Sequence, residues 1–163
     1  MTAVIVYGSA WANIMDFAAA SDPSLETGGA LFGEATGGRA VVVAASDAGP
    51  GATHLSDFFL RDLAYTQAFA SRLHADTGAQ WVGEWHTHPE GSGTLSERDL
   101  ATYVGHLTDR SLSLDTFVSI VLTPSAHHVS LEPRLWLLTR MHDLVRVTSH
   151  ELTIGEPSDD REV

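Results

Sequence analysis

Residues 81–89, Trp-Val-Gly-Glu-Trp-His-Thr-His-Pro, read as the end of a strand that must leave regular pairing at Pro89. Ser96 and Asp99 then stand in the Ser-x-x-Asp pattern that opens a helix. Between them, 88–95 is a loop rich in Gly, Ser and Pro, so a strand, a short turn and a helix follow one another without a break. Side chains at i and i+2 of a strand share a face, which directs His86 and His88 to one place, a rim open to solvent. A helix folded back beneath the strand end brings Asp99 and the Ser96 hydroxyl to that same place. Two imidazole nitrogens and one carboxylate oxygen are a common ligand set for a zinc ion that keeps a fourth position open. The Ser-x-x-Asp pair also suits a capping box, and the two roles are compatible.

The rest of the chain supplies a mixed α/β layer around this unit. Residues 2–8 suit a first strand, and 10–20 a helix capped by Ser9, with Trp11, Ile14, Met15 and Phe17 at helical spacing. Asp22-Pro23 breaks it. A strand over 26–34, a turn at 36–39 and a strand over 40–46 follow, then a Gly/Pro-rich loop over 47–55. The longest helical pattern starts at Asp57 and carries Phe58, Leu60, Leu63, Ala64, Phe69 and Leu73 before Gly78. Strands over 80–86 and 116–123 flank a helix from 97 to 107, and 128–154 holds two or three more strands. There is no internal repeat. The expectation is an α/β (α+β) fold: one domain over 1–154, a single mixed sheet flanked by about three helices, and an acidic flexible tail over 155–163.

Composition narrows the function. The 163 residues suffice for one domain with a buried core. No run of about 18 apolar residues is present, which argues against a membrane span. The N-terminus lacks the basic start and apolar stretch of a signal peptide, so a cytoplasmic location is expected. With no cysteine, disulfides, thiolate metal sites and cysteine nucleophiles are excluded. The formal charge is -12, and Arg134, Arg140 and Arg146 are scattered, which argues against nucleic acid as a partner and for a soluble acidic surface.

The pattern Glu26-Thr-Gly-Gly-Ala-Leu-Phe-Gly33 upstream, then His86-Thr-His88, seven residues beginning with Pro89, Ser96 and Asp99, resembles the signature of the JAMM (MPN+) zinc metallopeptidases over residues 1 to about 150. The commoner His-Glu-x-x-His motif is absent. Thr87 is the deconjugase form; the bacterial relative associated with DNA repair has Asn between its histidines. The resemblance implies the family's cytidine-deaminase-like fold and one catalytic zinc held by His86, His88 and Asp99, with water as fourth ligand. It further implies Glu26 as general base and later acid to the leaving amine, and Ser96 as hydrogen-bond donor to the oxyanion.

Other assignments compete. Glu84 shares the face of His86 and would complete a Glu-x-His-x-His set, but many members carry an aromatic residue there. The readings left for it are a hydrogen bond to an imidazole or a satisfied edge carboxylate. Glu34 and Glu90 are alternative bases. Trp85 is expected in the core. His54, His74, His106, His127, His128, His142 and His150 lack partners at ligand spacing and are read as non-ligands.

The family hydrolyses amide bonds, notably the isopeptide bond between a ubiquitin-like C-terminus and lysine. Residues 83–90 look most like small bacterial members encoded beside activating- and conjugating-enzyme-like genes, some of them in anti-phage systems. The resemblance thus implies a zinc-dependent isopeptidase or peptidase acting on a protein with a ubiquitin-like or conjugated C-terminal tail. A processing peptidase for a small sulfur-carrier-like protein is the alternative within the same chemistry, and a non-catalytic scaffold the alternative outside it. An extended tail would lie along a sheet edge by strand addition, with loops 47–56 and 90–95 as walls of the groove.

Overall fold

The computed structural model describes residues 3–157. Its spine is the strand β6 (Gln80–Thr87), which pairs antiparallel with β2 (Gly28–Thr36) on one side and parallel with β7 (Thr116–Pro124) on the other. A parallel pair needs a crossover, and α3 (Glu97–Thr108) supplies it. β2 turns into β3 (Arg39–Ala45) through Gly37-Gly38, both at positive φ as a two-residue hairpin of the type I′ class requires. β1 (Val4–Tyr7), β8 (Leu131–Met141), β9 (Leu144–His150) and β10 (Ile154–Gly155) extend an eight-stranded mixed sheet in the order β10-β1-β3-β2-β6-β7-β8-β9. The 128–154 region thus holds three strands. Gly155, placed by the sequence reading in the tail, pairs with Tyr7, and 158–163 lie outside the described residues.

The apolar run of β7 is buried along both faces, because helices cover both sides of the sheet. On one side α1 (Gly8–Ala19) packs Ala10, Ile14 and Ala18 against Val42, Trp85, Ile120 and Leu122. On the other, Tyr103 and Leu107 of α3 meet Phe117, Val121 and Leu138. α2 (Leu63–Thr77) brings Phe69 and Leu73 onto Ala30 and Phe32. Trp85 is fully buried as expected, its ring N–H donating to the Ser46 carbonyl at 2.8 Å. Strand alternation then turns His86 to the α3 side.

Two boundaries differ from the sequence reading. α1 starts directly at the end of β1 with Tyr7 as its N-cap, and Ser9 makes no capping bond. α2 starts at Leu63 rather than Asp57, with the Asp62 carboxylate accepting the Tyr65 N–H as cap. Phe58 and Leu60 mimic a helical stripe, yet β4 (Thr53–His54) and β5 (Phe59–Leu60) form a two-stranded ladder that buries Phe59. Tertiary burial of one ring overrides the local periodicity.

Gly28 opens β2 opposite His86, where a Cβ would overlap the Trp85 carbonyl and the Phe59 ring. Gly28→Ala is expected to destabilise the fold by about 1–3 kcal/mol, as overpacking does, seen as a lowered midpoint in thermal denaturation. An unchanged midpoint would show that the two strands can separate freely there.

Candidate metal centre

The end of β6 delivers His86 and His88 to one point, and the first turn of α3 delivers Asp99. His86 Nε2 lies 2.9 Å from His88 Nε2 and 3.2 Å from Asp99 Oδ2, and His88 Nε2 is 3.3 Å from the same oxygen. Glu26 joins them: its carboxylate and the other three ligand atoms all lie within 4.8 Å of one another. Among the described residues this is the one grouping of three or more potential ligands at such range.

Each group is held from behind. His88 Nδ1 donates to the Ser92 carbonyl at 2.9 Å, which leaves Nε2 for the cluster. Ser96 is the N-cap of α3 in a complete capping box: its Oγ accepts the Asp99 N–H at 3.0 Å, and its own N–H donates to Asp99 Oδ2 at 2.9 Å. The capping-box reading holds, and the carboxylate in that box is the one that faces the imidazoles, so the cap does not draw Asp99 away from the cluster. Glu26 is fixed through its backbone. Its N–H donates to the Leu55 carbonyl at 2.7 Å, and its carbonyl accepts from His54 Nδ1 at 3.0 Å. Thr87 points to the opposite face and accepts the Thr27 N–H at 3.0 Å, tying the Glu26 segment to β6.

His86 does not lie on an open rim. It is fully buried, because β2 and β7 flank it and α3 closes over it. His88 and Asp99 keep slight exposure, 11% and 13% of their side chains, while Glu26 and His86 are buried, so the cluster is reached past those two.

The donor set fits zinc. Tetrahedral zinc with bonds of about 2.0–2.1 Å to imidazole nitrogen sets its ligand atoms roughly 3.3 Å apart. The three contacts above fall at or just under that spacing. Two nitrogens and a carboxylate at such range make a ready seat for a cation, a proton or a metal ion.

Charge shifts report the same crowding. Burial raises the Asp99 pKa, but hydrogen bonds to His86 and His88 outweigh it and hold the carboxyl well below the usual range. Burial pulls His88 down, yet the bond to Asp99 and the Ser92 carbonyl raise it overall. Burial raises Glu26, opposed by the charges of His86 and His88. A raised imidazole contributes stability below its unfolded value of about 6.5 and loses it as pH rises through the folded value. Metal-free protein is therefore expected to lose thermal stability as pH rises from about 6.5 through the raised value of His88. Zinc-loaded protein, with the metal in the proton's place, should not. A flat profile for the metal-free protein in a chelator-treated denaturation series would contradict this.

A cavity of about 550 Å³ opens beside His88 on the α1 side of the sheet, lined by Met15, Leu25, Thr27, Thr87 and Leu122 among others. Its walls are the end of α1, the segment before β2 and the 124–131 turn; loops 47–56 and 90–95 contribute none of them. Strand addition at an outer edge is also ruled out beside this centre, because β6 is paired on both sides and the outer edges are β9 and β10. The sheet edge nearest Glu26 is the short β4–β5 ladder.

The profile of the prokaryotic homologs of the JAB domain matches residues 9–139. The chain belongs to this family. As a JAB domain it falls in a family that includes metallopeptidases, as the motif resemblance implied. The same fold occurs in the solution structure of protein DSY2949 from Desulfitobacterium hafniense, with a TM-score of 0.62 and 17% identity over 94% of this chain and 93% of that one. No curated protein matches the sequence.

Of the residues singled out in this JAB domain from sequence, Glu26, His86, His88 and Asp99 converge, and Ser96 sits beside them as the cap. Glu34 is exposed six residues along β2 from Gly28, roughly 20 Å away, and Glu90 is exposed in the loop. None of the seven other histidines enters the cluster. Glu84 lies 3.7 Å from His86 Nδ1, too far for a hydrogen bond, and instead accepts the Tyr103 hydroxyl at 2.8 Å. Sequence reasoning missed Tyr103. Its spacing of four from Asp99 was the available signal, since such residues share a helix face. No helix among the described residues is long and apolar enough to cross a membrane.

Proposed function

We propose that this JAB domain is a zinc-dependent hydrolase of amide bonds. Its substrate is a protein whose C-terminal tail is ubiquitin-like or conjugated through an isopeptide bond, in the manner of bacterial deconjugases, including those of anti-phage systems. The observation that carries the reading is the convergence of Glu26 with His86, His88 and Asp99, four ligand-type atoms within 4.8 Å of one another: three suffice to hold an ion, and the buried Glu26 carboxylate can handle protons. A zinc ion in that place would polarise the scissile carbonyl and make water acidic enough to attack near neutral pH.

The chain's own residues do the rest. His86, His88 and Asp99 hold the ion through Nε2, Nε2 and Oδ2. Glu26 takes a proton from the attacking water and returns it to the leaving amine; burial, by raising its pKa, suits both halves of that exchange. Ser96 Oγ accepts one hydrogen bond, from the Asp99 N–H, so its own proton remains available for the developing oxyanion. The tail lies along the β4–β5 ladder, where Leu55 and Leu60 are exposed beside the backbone of Glu26. The apolar cavity next to His88 receives a side chain near the scissile bond.

The test is direct. Purified protein should hold about one zinc per chain and cleave a ubiquitin-like conjugate, lose cleavage on chelation and regain it with zinc. A chain that binds no zinc, or cleaves as well without it, would overturn the proposal. Ser96 separates its two roles by substitution. Glycine caps a helix nearly as well as serine, so Ser96→Gly should cost only a few tenths of a kcal/mol in stability. Its turnover should nevertheless fall by about 10²–10³ if the hydroxyl supports the oxyanion. Equal small losses in both would leave Ser96 as a cap alone.

A further inference from the structure

Tyr103 is the centre of a buried polar knot that no part of the proposed reaction uses. It is 1% exposed, and its hydroxyl lies 2.8 Å from Glu84 Oε1, 3.3 Å from His86 Nδ1 and 3.3 Å from Ser119 Oγ. Strand register explains the convergence. Glu84 and His86 are two residues apart on β6 and share a face, and Ser119 of β7 pairs opposite Glu84. Asp99 and Tyr103 are four residues apart on α3, one turn along the same helix face. One helix therefore grips both nitrogens of a single ring: Asp99 Oδ2 at Nε2, 3.2 Å away, and Tyr103 Oη at Nδ1.

Donor and acceptor chemistry gives this knot a direction. An ionised carboxylate only accepts, so the Tyr103 O–H is committed to Glu84. The phenolic oxygen is then an acceptor, open to the Nδ1–H of His86. With its proton on Nδ1, His86 presents a lone pair at Nε2, toward His88 and Asp99. His88 reaches the same state through the Ser92 carbonyl, with 11% of its side chain exposed, whereas His86 is fully buried. Arg61 Nη1 stands 3.7 Å behind Glu84 Oε2 and supplies the charge that keeps this carboxylate company.

We infer that Tyr103 and Glu84 are positioning residues for the metal: together they hold His86 in the tautomer and orientation that ligates through Nε2. This rests on the metal-centre reading above and adds to it two residues that touch neither ion nor substrate. Loss of such a partner behind a metal-bound histidine typically weakens metal affinity about 10–100-fold.

The experiment compares wild type, Tyr103→Phe, Glu84→Ala and Glu84→Gln. The readouts are zinc affinity by chelator competition and the ring nitrogen signals of His86 in metal-free protein at about pH 9, above the ordinary imidazole range. Wild type should show the proton of His86 on Nδ1. Tyr103→Phe keeps the ring that stacks on Phe117 and should bind zinc about 10–100-fold more weakly, with His86 in mixed tautomers. Glu84→Ala should do likewise, and Glu84→Gln should recover part of the loss, because its amide carbonyl still accepts the phenol. Wild-type zinc affinity in both Tyr103→Phe and Glu84→Ala would overturn the inference, as would an Nε2-protonated His86 in wild type. If wild type binds no zinc, the metal reading fails, and the His86 signals alone then decide whether the knot sets the tautomer.

Discussion

Glu26→Gln is expected to lower turnover of a ubiquitin-like conjugate by about 10²–10⁴-fold while zinc stays bound, the range general acid–base groups contribute. The substitution keeps the shape of the side chain and removes only its ability to carry a proton. Glu26 is 7% exposed and is placed by backbone bonds to Leu55 and His54, none of which the amide disturbs. The fold should therefore hold; burying an amide in place of a raised carboxylate leaves stability level or slightly higher. The wild-type profile of kcat/KM against pH carries the same information. Activity requires the ionised carboxylate, so the profile should carry an acid limb that the residual activity of Glu26→Gln lacks. Full activity in Glu26→Gln would remove Glu26 from the reaction and leave Glu90 in the nearby loop as the residue to examine.

His88→Ala is expected to abolish the thermal stabilisation that zinc gives wild type. A ligand at 100 times its Kd adds about 2.7 kcal/mol. For a domain of this size that is roughly 5–10 °C in Tm. Changes to residues merely behind a ligand cost about 10–100-fold in affinity, so deleting a ligand should cost more and erase the shift at the same zinc concentration. His88 is the cleanest ligand to remove. Its side chain keeps 11% exposure, whereas replacing fully buried His86 would open a sealed cavity, and replacing Asp99 would also break the capping box. A full zinc shift in His88→Ala would dissolve the proposed ligand set.

The three candidate ligands are legible in sequence because they are local. His86, His88 and Asp99 lie within 14 residues, on a strand end, a loop and a helix start that announce themselves through Pro89, glycine spacing and a cap. Glu26 is sixty residues upstream, and nothing in its own neighbourhood marks it as a base; only the family pattern reached it. Tyr103 was hidden for a different reason. An aromatic residue on the buried face of an amphipathic helix reads as core, and Tyr103 does pack on Phe117. Its hydroxyl acquires meaning only from Glu84 and Ser119, which belong to other elements. The burial of His86 was missed because Pro89 marks where pairing stops but not what lies above it. The start of α2 was misplaced because Leu60 keeps helical spacing with Leu63 and Ala64, while Phe59 beside it is the ring the fold buries.

The separation of Glu26 from the ligands in the chain also sets an order of assembly. Closing 86–99 joins near neighbours and needs only β6, the loop and the first turn of α3. Bringing Glu26 alongside requires the antiparallel pairing of β2 with β6, a contact across the length of α2 and both short strands, and non-local contacts of this kind form late. On the proposed reading, a half-folded chain would gather its three ligands before it has a base to use with them. In the proposed reaction, metal capture and hydrolytic competence would then arise at different stages, with cleavage waiting on a complete central sheet.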